Sequence, residues 1–246
     1  MIKKIGLIPS RIESSRLPEK AILDILGTPM VVHVAKRAML ATLLDDVIVC
    51  TDSLRIAHAC IAHDIRCMLT KSKHLNGTER IAEAAEYLNL NGEDIVIDIQ
   101  GDEPLLAPAM VDNVVRFILS TENDVVVPYI PIPSALDSPN RVKIIESYGK
   151  VYYMTRASAP YSFLEAGKLK KHLSIIGFRV DALLKFASNS QTPLERVEGI
   201  ELLRALEMGL TVGTFEEEGE TLAVDTYEDY MQVKRLMFRD LLYGKY

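Results

Sequence analysis

The sequence has few cysteines and no apolar run long enough to cross a membrane. Its three cysteines, Cys50, Cys60 and Cys67, are odd in number and lack CxxC spacing, so neither a disulfide framework nor a zinc site is expected. The apolar runs, such as Val125–Val127, are far shorter than the roughly 20 residues that span a bilayer. The N-terminal segment lacks a signal-peptide pattern. We therefore expect a cytoplasmic protein without membrane insertion.

The chain also lacks an excess of positive charge. Its formal net charge is −6, which argues against broad binding to nucleic acid or to an anionic membrane. Positive charge is concentrated locally instead, because Arg11, Arg16 and Lys20 lie in one short segment. A local patch of this kind is sufficient for a small anionic substrate.

Internal repeats, low-complexity tracts and flexible linkers are absent as well, and 246 residues with 48% hydrophobic content can form one sizeable core. Apolar runs without polar alternation predict buried parallel strands, and here they alternate with helical patterns. This order predicts an α/β fold, a three-layer, Rossmann-like sandwich with a mostly parallel central sheet. The strands are predicted at residues 5–8, 47–49, 95–99 and 125–127, and the helices at residues 30–40, 54–63, 78–88 and 110–119.

From about residue 130 to residue 180 the pattern changes to turn-rich sequence and short strands, which predict an antiparallel addition. We expect a single domain over residues 1–246 with this strand-rich excursion at about 130–180. A helix is predicted over residues 193–208. The last helix is predicted over residues 227–242, with Thr226 as its cap and Asp229 completing a capping box.

The loop after the first predicted strand, residues 9–20, is the first candidate site, because ligands of open α/β sheets bind beyond the carboxyl ends of the strands. It has neither the GxxxxGK[ST] nor the GxGxxG pattern, so both glycine-rich phosphate-binding fingerprints are excluded. Guanidinium, ammonium and hydroxyl groups could bind phosphate instead. The spacing alone fits a phosphate-binding loop and a solvated loop equally well. The candidate side chains are those of Arg11, Ser14, Ser15, Arg16 and Lys20.

Two aspartates that follow apolar runs are candidate ligands of a magnesium ion. Asp102 follows the strand predicted at residues 95–99 through a glycine, and Asp225 follows a shorter apolar approach. Mg²⁺ prefers oxygen ligands and is commonly held by one or two carboxylates together with substrate phosphates and water. An ordinary turn is the alternative for Asp102, since Gly-Asp and Glu-Pro are common turn sequences.

The segment from His74 to Arg80 opens a predicted helix. Its Gly77 permits close approach of a ligand to the backbone, and the amides of a helix N-terminus can bind polar ligand groups. Taken alone, Asn-Gly-Thr is also an everyday turn and cap. The segment therefore indicates a ligand-binding site only together with the other candidate segments.

In this order along nearly the whole chain, the segments resemble the CMP-KDO synthetases, the 3-deoxy-manno-octulosonate cytidylyltransferases of lipopolysaccharide synthesis. Each motif is common, but the ordered set is specific. The matching segments are Ile8-Pro9-Ser10-Arg11, Ser15-Arg16-Leu17-Pro18, Lys20, Gly27-Thr28-Pro29-Met30, His74, Gly77-Thr78-Glu79-Arg80, Gln100-Gly101-Asp102-Glu103-Pro104, Pro139-Asn140, Val142-Lys143, Arg156, His172-Leu173, Pro193-Leu194-Glu195, Glu198, Glu201, Arg204 and Val224-Asp225-Thr226.

The resemblance implies a homodimeric nucleotidyltransferase in which the anomeric hydroxyl of a 3-deoxy-ulosonic sugar acid attacks the α-phosphorus of CTP and releases pyrophosphate. It implies Mg²⁺ held by Asp102 and Asp225. We expect the dimer interface in the strand-rich excursion at about 130–180. The implied catalytic residues are Lys20, Arg11, Arg16 and Asp102. The implied nucleotide-binding residues are Pro9, Ser10, Arg11, Ser14, Ser15, Arg16, Lys20, His74, Gly77, Thr78 and Arg80, and the implied sugar-binding residues are Gln100, Arg156, His172 and Glu201.

Four positions depart from the usual family sequence. Ser174 stands where glycine is usual, Ile176 and Phe178 replace tyrosines, and Glu19 replaces the glycine before the loop lysine. Losing a phenolic hydroxyl removes a donor that could recognise a sugar hydroxyl, and Glu19 could pair with an amine of the substrate. We therefore expect the acceptor to be KDO or a close variant such as the 8-amino-8-deoxy analogue.

Other interpretations stay open at this point. A synthetase for another CMP-activated sugar acid, such as a nonulosonic acid, would share the triphosphate loop and the metal carboxylates. A non-enzymatic, nucleotide-binding assembly protein would be expected to have a damaged metal site, whereas Asp102, Asp225 and Lys20 are all present. His172 could also be a core histidine, and Glu201 could belong to a solvated helix face.

Overall fold

The computed structural model describes residues 1–14, 16–164, 167–219 and 221–246. Strands and helices alternate through the first half of these residues, as the apolar periodicity predicts. The strands are β1 (Lys4–Ser10), β2 (Asp24–Ile25), β3 (Thr28–Pro29), β4 (Asp46–Thr51), β5 (Cys67–Leu69), β6 (Ile95–Ile99), β7 (Val125–Val126), β8 (Tyr129–Ile132), β9 (Lys143–Ser147), β10 (Lys150–Thr155), β11 (Leu169–His172), β12 (Ile175–Arg179) and β13 (Val212–Gly213). The α-helices are α1 (Met30–Ala38), α2 (Leu54–Ile61), α3 (Gly77–Tyr87), α4 (Pro108–Leu119), α5 (Val180–Ala187), α6 (Pro193–Glu198), α7 (Leu202–Glu207) and α8 (Tyr227–Met237).

Eleven of the strands form one sheet in the order β5-β4-β1-β6-β12-β7-β13-β10-β9-β11-β8, and β2 pairs with β3 separately. Strands β5, β4, β1 and β6 run parallel to one another, and β13 is parallel to β7. Strand β12 is antiparallel to both of its neighbours, β6 and β7. The strand-rich excursion is therefore continuous with the central sheet, because its last strand lies inside that sheet.

Two apolar cores cover the two faces of the sheet. Successive strand residues point to opposite faces, so Ile97 joins one core and Val96 the other. Helices α1, α2 and α4 contribute side chains to the first core, and α3, α5 and α7 contribute to the second. This arrangement is the predicted three-layer sandwich with helices on both sides of a mostly parallel sheet.

The prediction of one helix over residues 193–208 is wrong, since α6 and α7 are separate. Gly199 has a φ of 63°, a left-handed conformation that favours glycine, and its N–H donates to the carbonyl of Glu195 to end α6. The capping box at α8 is confirmed, because Thr226 and Asp229 bond reciprocally there. Helix α8 ends at Met237, earlier than the predicted residue 242.

The parallel strands place several loops at one edge of the sheet. Strands β1, β4, β5 and β6 end at Ser10, Thr51, Leu69 and Ile99, so the segments that follow them share that edge. In the part of the chain that the structure describes, no helix combines the length and apolarity needed to cross a membrane.

Candidate active site

A cavity of about 300 Å³ opens at the carboxyl edge of the parallel strands. The loops after β1 and β6, the N-terminus of α3 and the segments before α7 and α8 surround it. Residues far apart in the sequence, such as Arg11 and Asp225, therefore face one space. The lining residues are Pro9, Ser10, Arg11, Glu13, Ser14, Arg16, Lys20, Ala21, Met30, His74, Leu75, Asn76, Gly77, Arg80, Gln100, Gly101, Asp102, Glu201 and Asp225.

Two glycines allow the loops to approach each other closely around Pro9. A Cβ atom added at Gly101 would lie 3.0 Å from the carbonyl oxygen of Pro9. A Cβ atom added at Gly77 would lie 3.0 Å from the Pro9 side chain. Because backbone cannot yield as a flexible side chain can, Gly101 is the stricter requirement. The contact fixes the start of the basic loop against the strand end that carries Asp102.

Lys20 lies between the two aspartates that the sequence predicts as metal ligands. Its ammonium donates to Asp102 Oδ2 at 2.6 Å, to Asp225 Oδ1 at 3.0 Å and to the Val224 carbonyl at 3.1 Å. Burial of the ammonium opposes its charge, but the two carboxylates outweigh burial and raise the pKa of Lys20 above its ordinary value. Lys20 is therefore charged at neutral pH.

The segment before α8 is tied to the loop after β6 through the backbone. The Val224 N–H donates to the Asp102 carbonyl at 2.9 Å, and the Asp225 N–H donates to Asp229 in the first turn of α8. Arg16 approaches Asp225 with 3.0 Å between Nη2 and Oδ1. These contacts place Asp225 beside the basic loop, a convergence that sequence spacing alone does not reveal.

The two carboxylates suit a shared magnesium ion in chemistry and position. Asp102 and Asp225 both direct an oxygen at one cationic centre, which is the Lys20 ammonium in this structure. Within the described residues, no group of three His, Cys, Asp or Glu side chains forms a ready metal site. An ion held by two carboxylates would take its remaining ligands from phosphate and water, which is a common arrangement for Mg²⁺.

The N-terminal region of α3 is held by its own hydrogen bonds. The Asn76 side chain accepts from the Glu79 N–H at 2.8 Å and caps the helix. His74 Nε2 lies 2.5 Å from Glu83 Oε2. Burial opposes ionisation of Glu83, but hydrogen bonds from His74, the Lys71 N–H and a tyrosine hydroxyl outweigh it and lower the pKa of Glu83 to about 2.

Arg80 lines the cavity, but its guanidinium is committed to protein groups. It is nearly fully buried and donates to Asp52 at 3.1 Å, to the Thr70 hydroxyl at 2.6 Å and to the Lys71 carbonyl at 3.2 Å. These bonds anchor α3 to the loops after β4 and β5. In this arrangement Arg80 supports the wall of the cavity.

The side of the cavity between β6 and α7 has an amide and a carboxyl group in place of the basic side chains of the loop after β1. Gln100 follows β6, and Glu201 precedes α7. Thr78 lies behind the lining and donates its hydroxyl to Glu201 Oε2 at 2.9 Å. Burial raises the pKa of Glu201 above its usual range. This side can recognise hydroxyl or amino groups of a second substrate.

Arg156 and His172 do not line the cavity. The Arg156 guanidinium donates to the carbonyls of Glu198, Pro139 and Gly199, at distances of 2.7, 2.8 and 3.1 Å. It therefore fixes the junction between α6 and α7, next to Glu201. Burial, with a smaller effect of the Lys171 charge, lowers the pKa of His172 to about 4, so its ring is neutral at pH 7.

Three of the residues that depart from the usual family sequence have contacts that explain their place in the structure. Glu19 has a φ of 54°, in the region that favours glycine, and its carboxylate pairs with Arg55 on α2 outside the lining of this cavity. Phe178 is fully buried in the core and packs against Phe186. Neither Glu19 nor Phe178 lines this cavity, so neither side chain can contact a substrate bound there. Burial raises the pKa of Glu103 to about 7, and the nearby Ser174 hydroxyl is among the groups that oppose this rise.

Most of the predicted site residues meet in the cavity, apart from Thr78, Arg156 and His172. Ser15 lies outside the described residues. The prediction omitted Glu13, Asn76 and Gly101 from the site. Gly101 could have been found from its place between a buried strand and Asp102. Asn76 could have been found from its place in the selected segment from His74 to Arg80.

Known proteins are similar to this chain, in sequence and in structure, over nearly its whole length. A family model described as cytidylyltransferase matches residues 5–217. The 3-deoxy-manno-octulosonate cytidylyltransferase of Polynucleobacter asymbioticus is 38% identical over 240 residues, covering 94% of this chain and 94% of that protein. The protein of the same name from Neisseria gonorrhoeae is 37% identical over 248 residues, covering 95% and 98%. A solved structure of CMP:2-keto-3-deoxy-manno-octonic acid synthetase complexed with CTP has a TM-score of 0.92 at 32% identity, covering 97% of this chain and 100% of that one.

Proposed function

This chain belongs to the cytidylyltransferase family, and we propose that it transfers CMP from CTP to the anomeric hydroxyl of a 3-deoxy-ulosonic sugar acid, KDO or a close variant. The observation that carries the proposal is the meeting of Lys20, Asp102 and Asp225 in one cavity with the basic loop. A solvated loop would not require its lysine to bind two carboxylates from distant segments.

The reaction needs charge neutralisation around the triphosphate more than covalent participation of the protein. Arg11, Arg16 and Lys20 line the cavity and can pair with phosphate oxygens. Bound Mg²⁺, which Asp102 and Asp225 would hold, supplies further neutralisation of the phosphate charge. The acceptor hydroxyl loses its proton as the new bond to phosphorus forms, and the Asp102 carboxylate can accept that proton. The bond between the α-phosphorus and the oxygen that bridges to the β-phosphate breaks, and pyrophosphate leaves with the electron pair of that bond.

A pyrophosphate-release assay tests this proposal. Each of the four nucleoside triphosphates is combined with a panel of 3-deoxy-ulosonic and nonulosonic acids, with and without Mg²⁺. We expect release only with CTP, an eight-carbon 3-deoxy-ulosonic acid and Mg²⁺ together. Release that does not depend on any sugar acid would reject a transferase, and a nonulosonic acid as best acceptor would assign a different sugar.

The 8-amino-8-deoxy analogue of KDO is a second candidate acceptor. The observation that favours it is the carboxyl group of Glu201 on the side of the cavity that lacks a net positive charge. The pairing of Glu19 with Arg55 removes Glu19 as an argument for it. A competition between KDO and the amino analogue decides the question, and Glu201→Gln should reduce any preference for the amine. A higher kcat/KM for KDO rejects this candidate.

We also propose a homodimer whose interface includes the segment at about 130–180 of the single domain. This segment exposes large apolar side chains, among them those of Tyr152, Phe163 and Leu164. Phe163→Ser should weaken association in sedimentation equilibrium. Phe238→Ser is the matched control, because Phe238 is also exposed but lies outside the segment. A monomer at all concentrations would reject the dimer.

A further inference from the structure

Asp98 is a buried carboxyl group that the proposed reaction does not use. It lies on β6, where the residue is only 1% exposed. Its neighbours on the same sheet face are Val96, two residues earlier, and Ile176, directly opposite on β12. A carboxyl group buried beside apolar side chains is costly unless it is neutral or bonded.

The environment of Asp98 favours its neutral form. Burial raises the pKa of Asp98 well above its usual range, and the nearby carboxyl groups of Glu201, Asp102 and Glu103 act in the same direction. The side chain of Ile176, the residue opposite on β12, is apolar, so it offers the Asp98 carboxyl group neither a hydrogen-bond donor nor a positive charge.

A hydrogen bond links Asp98 to a residue that lines the cavity. Gln100 donates from Nε2 to Asp98 Oδ1 at 3.0 Å, and Gln100 itself lines the cavity. An amide has one carbonyl acceptor and one NH₂ donor group. Binding the NH₂ group at Asp98 leaves the carbonyl oxygen of Gln100 as the atom that can accept a hydrogen bond from a ligand.

We propose that Asp98 is a positioning residue that sets acceptor specificity by orienting the Gln100 amide, so that its carbonyl accepts a hydrogen bond from a hydroxyl group of the sugar acid. This inference rests on the proposed function, because it requires a hydroxylated acceptor beside Gln100. A site built to bond a hydroxyl group discriminates against analogues that lack it. Asp98 acts through Gln100 and does not itself contact the substrate.

Steady-state kinetics of Asp98→Val, Asp98→Asn and Gln100→Ala test the inference. Asp98→Val removes the bond, so we expect the KM for the sugar acid to rise about five- to tenfold, as for one lost hydrogen bond. The KM for CTP should stay within about twofold. Asp98→Asn retains an oxygen acceptor and should recover most of the loss. In the double variant, Asp98→Val should add little to Gln100→Ala.

Asp112→Val is the matched control for loss of a buried carboxyl group. Asp112 is buried on α4 and accepts bonds from Thr42 and Leu43, away from the cavity. This variant should lower the Tm and leave both KM values unchanged. Equal rises in both KM values for Asp98→Val, additive effects with Gln100→Ala, or failure of Asp98→Asn to recover would each overturn the inference.

A second measurement separates this inference from the proposed function. The side-chain amide signal of Gln100 in a ¹H–¹⁵N spectrum, assigned by its loss in Gln100→Ala, should exchange slowly with water in the wild type and in Asp98→Asn. It should exchange faster in Asp98→Val. An unchanged signal in Asp98→Val overturns the inference even if no tested acid is a substrate. Absence of turnover in the wild type rejects the proposed function instead.

Discussion

Replacement of Asp225 by Asn separates the catalytic role of the carboxylate from its structural role. The change removes one negative charge at nearly constant volume. The backbone N–H of residue 225 can still donate to Asp229, and the capping box of α8 does not involve the replaced side chain. Lys20 keeps its bonds to Asp102 at 2.6 Å and to the Val224 carbonyl at 3.1 Å.

The structural cost of this replacement should therefore be small. The Asp225 side chain is 37% exposed and its partner Arg16 is 65% exposed, so solvent screens their ion pair. We expect the free energy of unfolding to change by less than about 1 kcal/mol. Turnover should fall much further, by about 10²- to 10³-fold, because an oriented charge at the reacting phosphate is lost.

The assay is pyrophosphate release as a function of Mg²⁺ concentration, together with thermal unfolding. The Mg²⁺ concentration for half-maximal turnover should rise at least about tenfold for Asp225→Asn, since the ion loses a carboxylate ligand. Glu228→Gln removes the same charge from an exposed position in the first turn of α8 and should change neither quantity. Near-normal turnover of Asp225→Asn at limiting Mg²⁺ would refute the metal-binding role.

Three further predictions concern Gly101, Glu19 and Glu83. Gly101→Ala should raise the KM for CTP with little loss of kcat, because the new Cβ would press on the Pro9 carbonyl; an unchanged KM would contradict that contact. Glu19→Gly should leave acceptor preference unchanged and should not lower the Tm, as relief of the left-handed backbone offsets loss of the exposed Arg55 pair; a changed preference in the competition assay would contradict this. Glu83→Gln should destabilise the protein at pH 7 by at most about 3 kcal/mol. The pKa of Glu83 falls from 4.5 to about 2 on folding, so this difference in unfolding free energy should be constant above pH 5 and shrink as the pH falls toward 2; a difference independent of pH would contradict it.

The parallel half of the fold could be predicted from the sequence because its strands are buried on both faces. In Ile95–Ile99, where Asp98 is the single polar residue, the lack of regular polar alternation indicates that burial. The break at Gly199 could not be predicted in the same way, since the apolar period continues across it while the backbone turns left-handed. The place of β12 inside the central sheet is a long-range pairing that local patterns do not encode.

The candidate site, like the fold, could be predicted from the sequence only in part. The sequence predicts most of the cavity residues. Asp102 and Asp225 are among them because each follows an apolar segment. It could not tell which cations already have protein partners, and Arg80 proves to be bound to Asp52. Asp98 receives no role from the sequence, because it is a single polar residue within a strand. Binding of Mg²⁺, the dimer and a cytoplasmic location stay predictions.

The most direct test of the account is the stoichiometry of products from CTP and KDO in the presence of Mg²⁺. Mass spectrometry and a pyrophosphate assay on the same samples measure the nucleotide-linked sugar acid and the released pyrophosphate. The account predicts one equivalent of CMP–sugar acid for each pyrophosphate, with neither formed when CTP, the acid or Mg²⁺ is omitted. Pyrophosphate accompanied by free CMP alone, or formed without the acid, would contradict it.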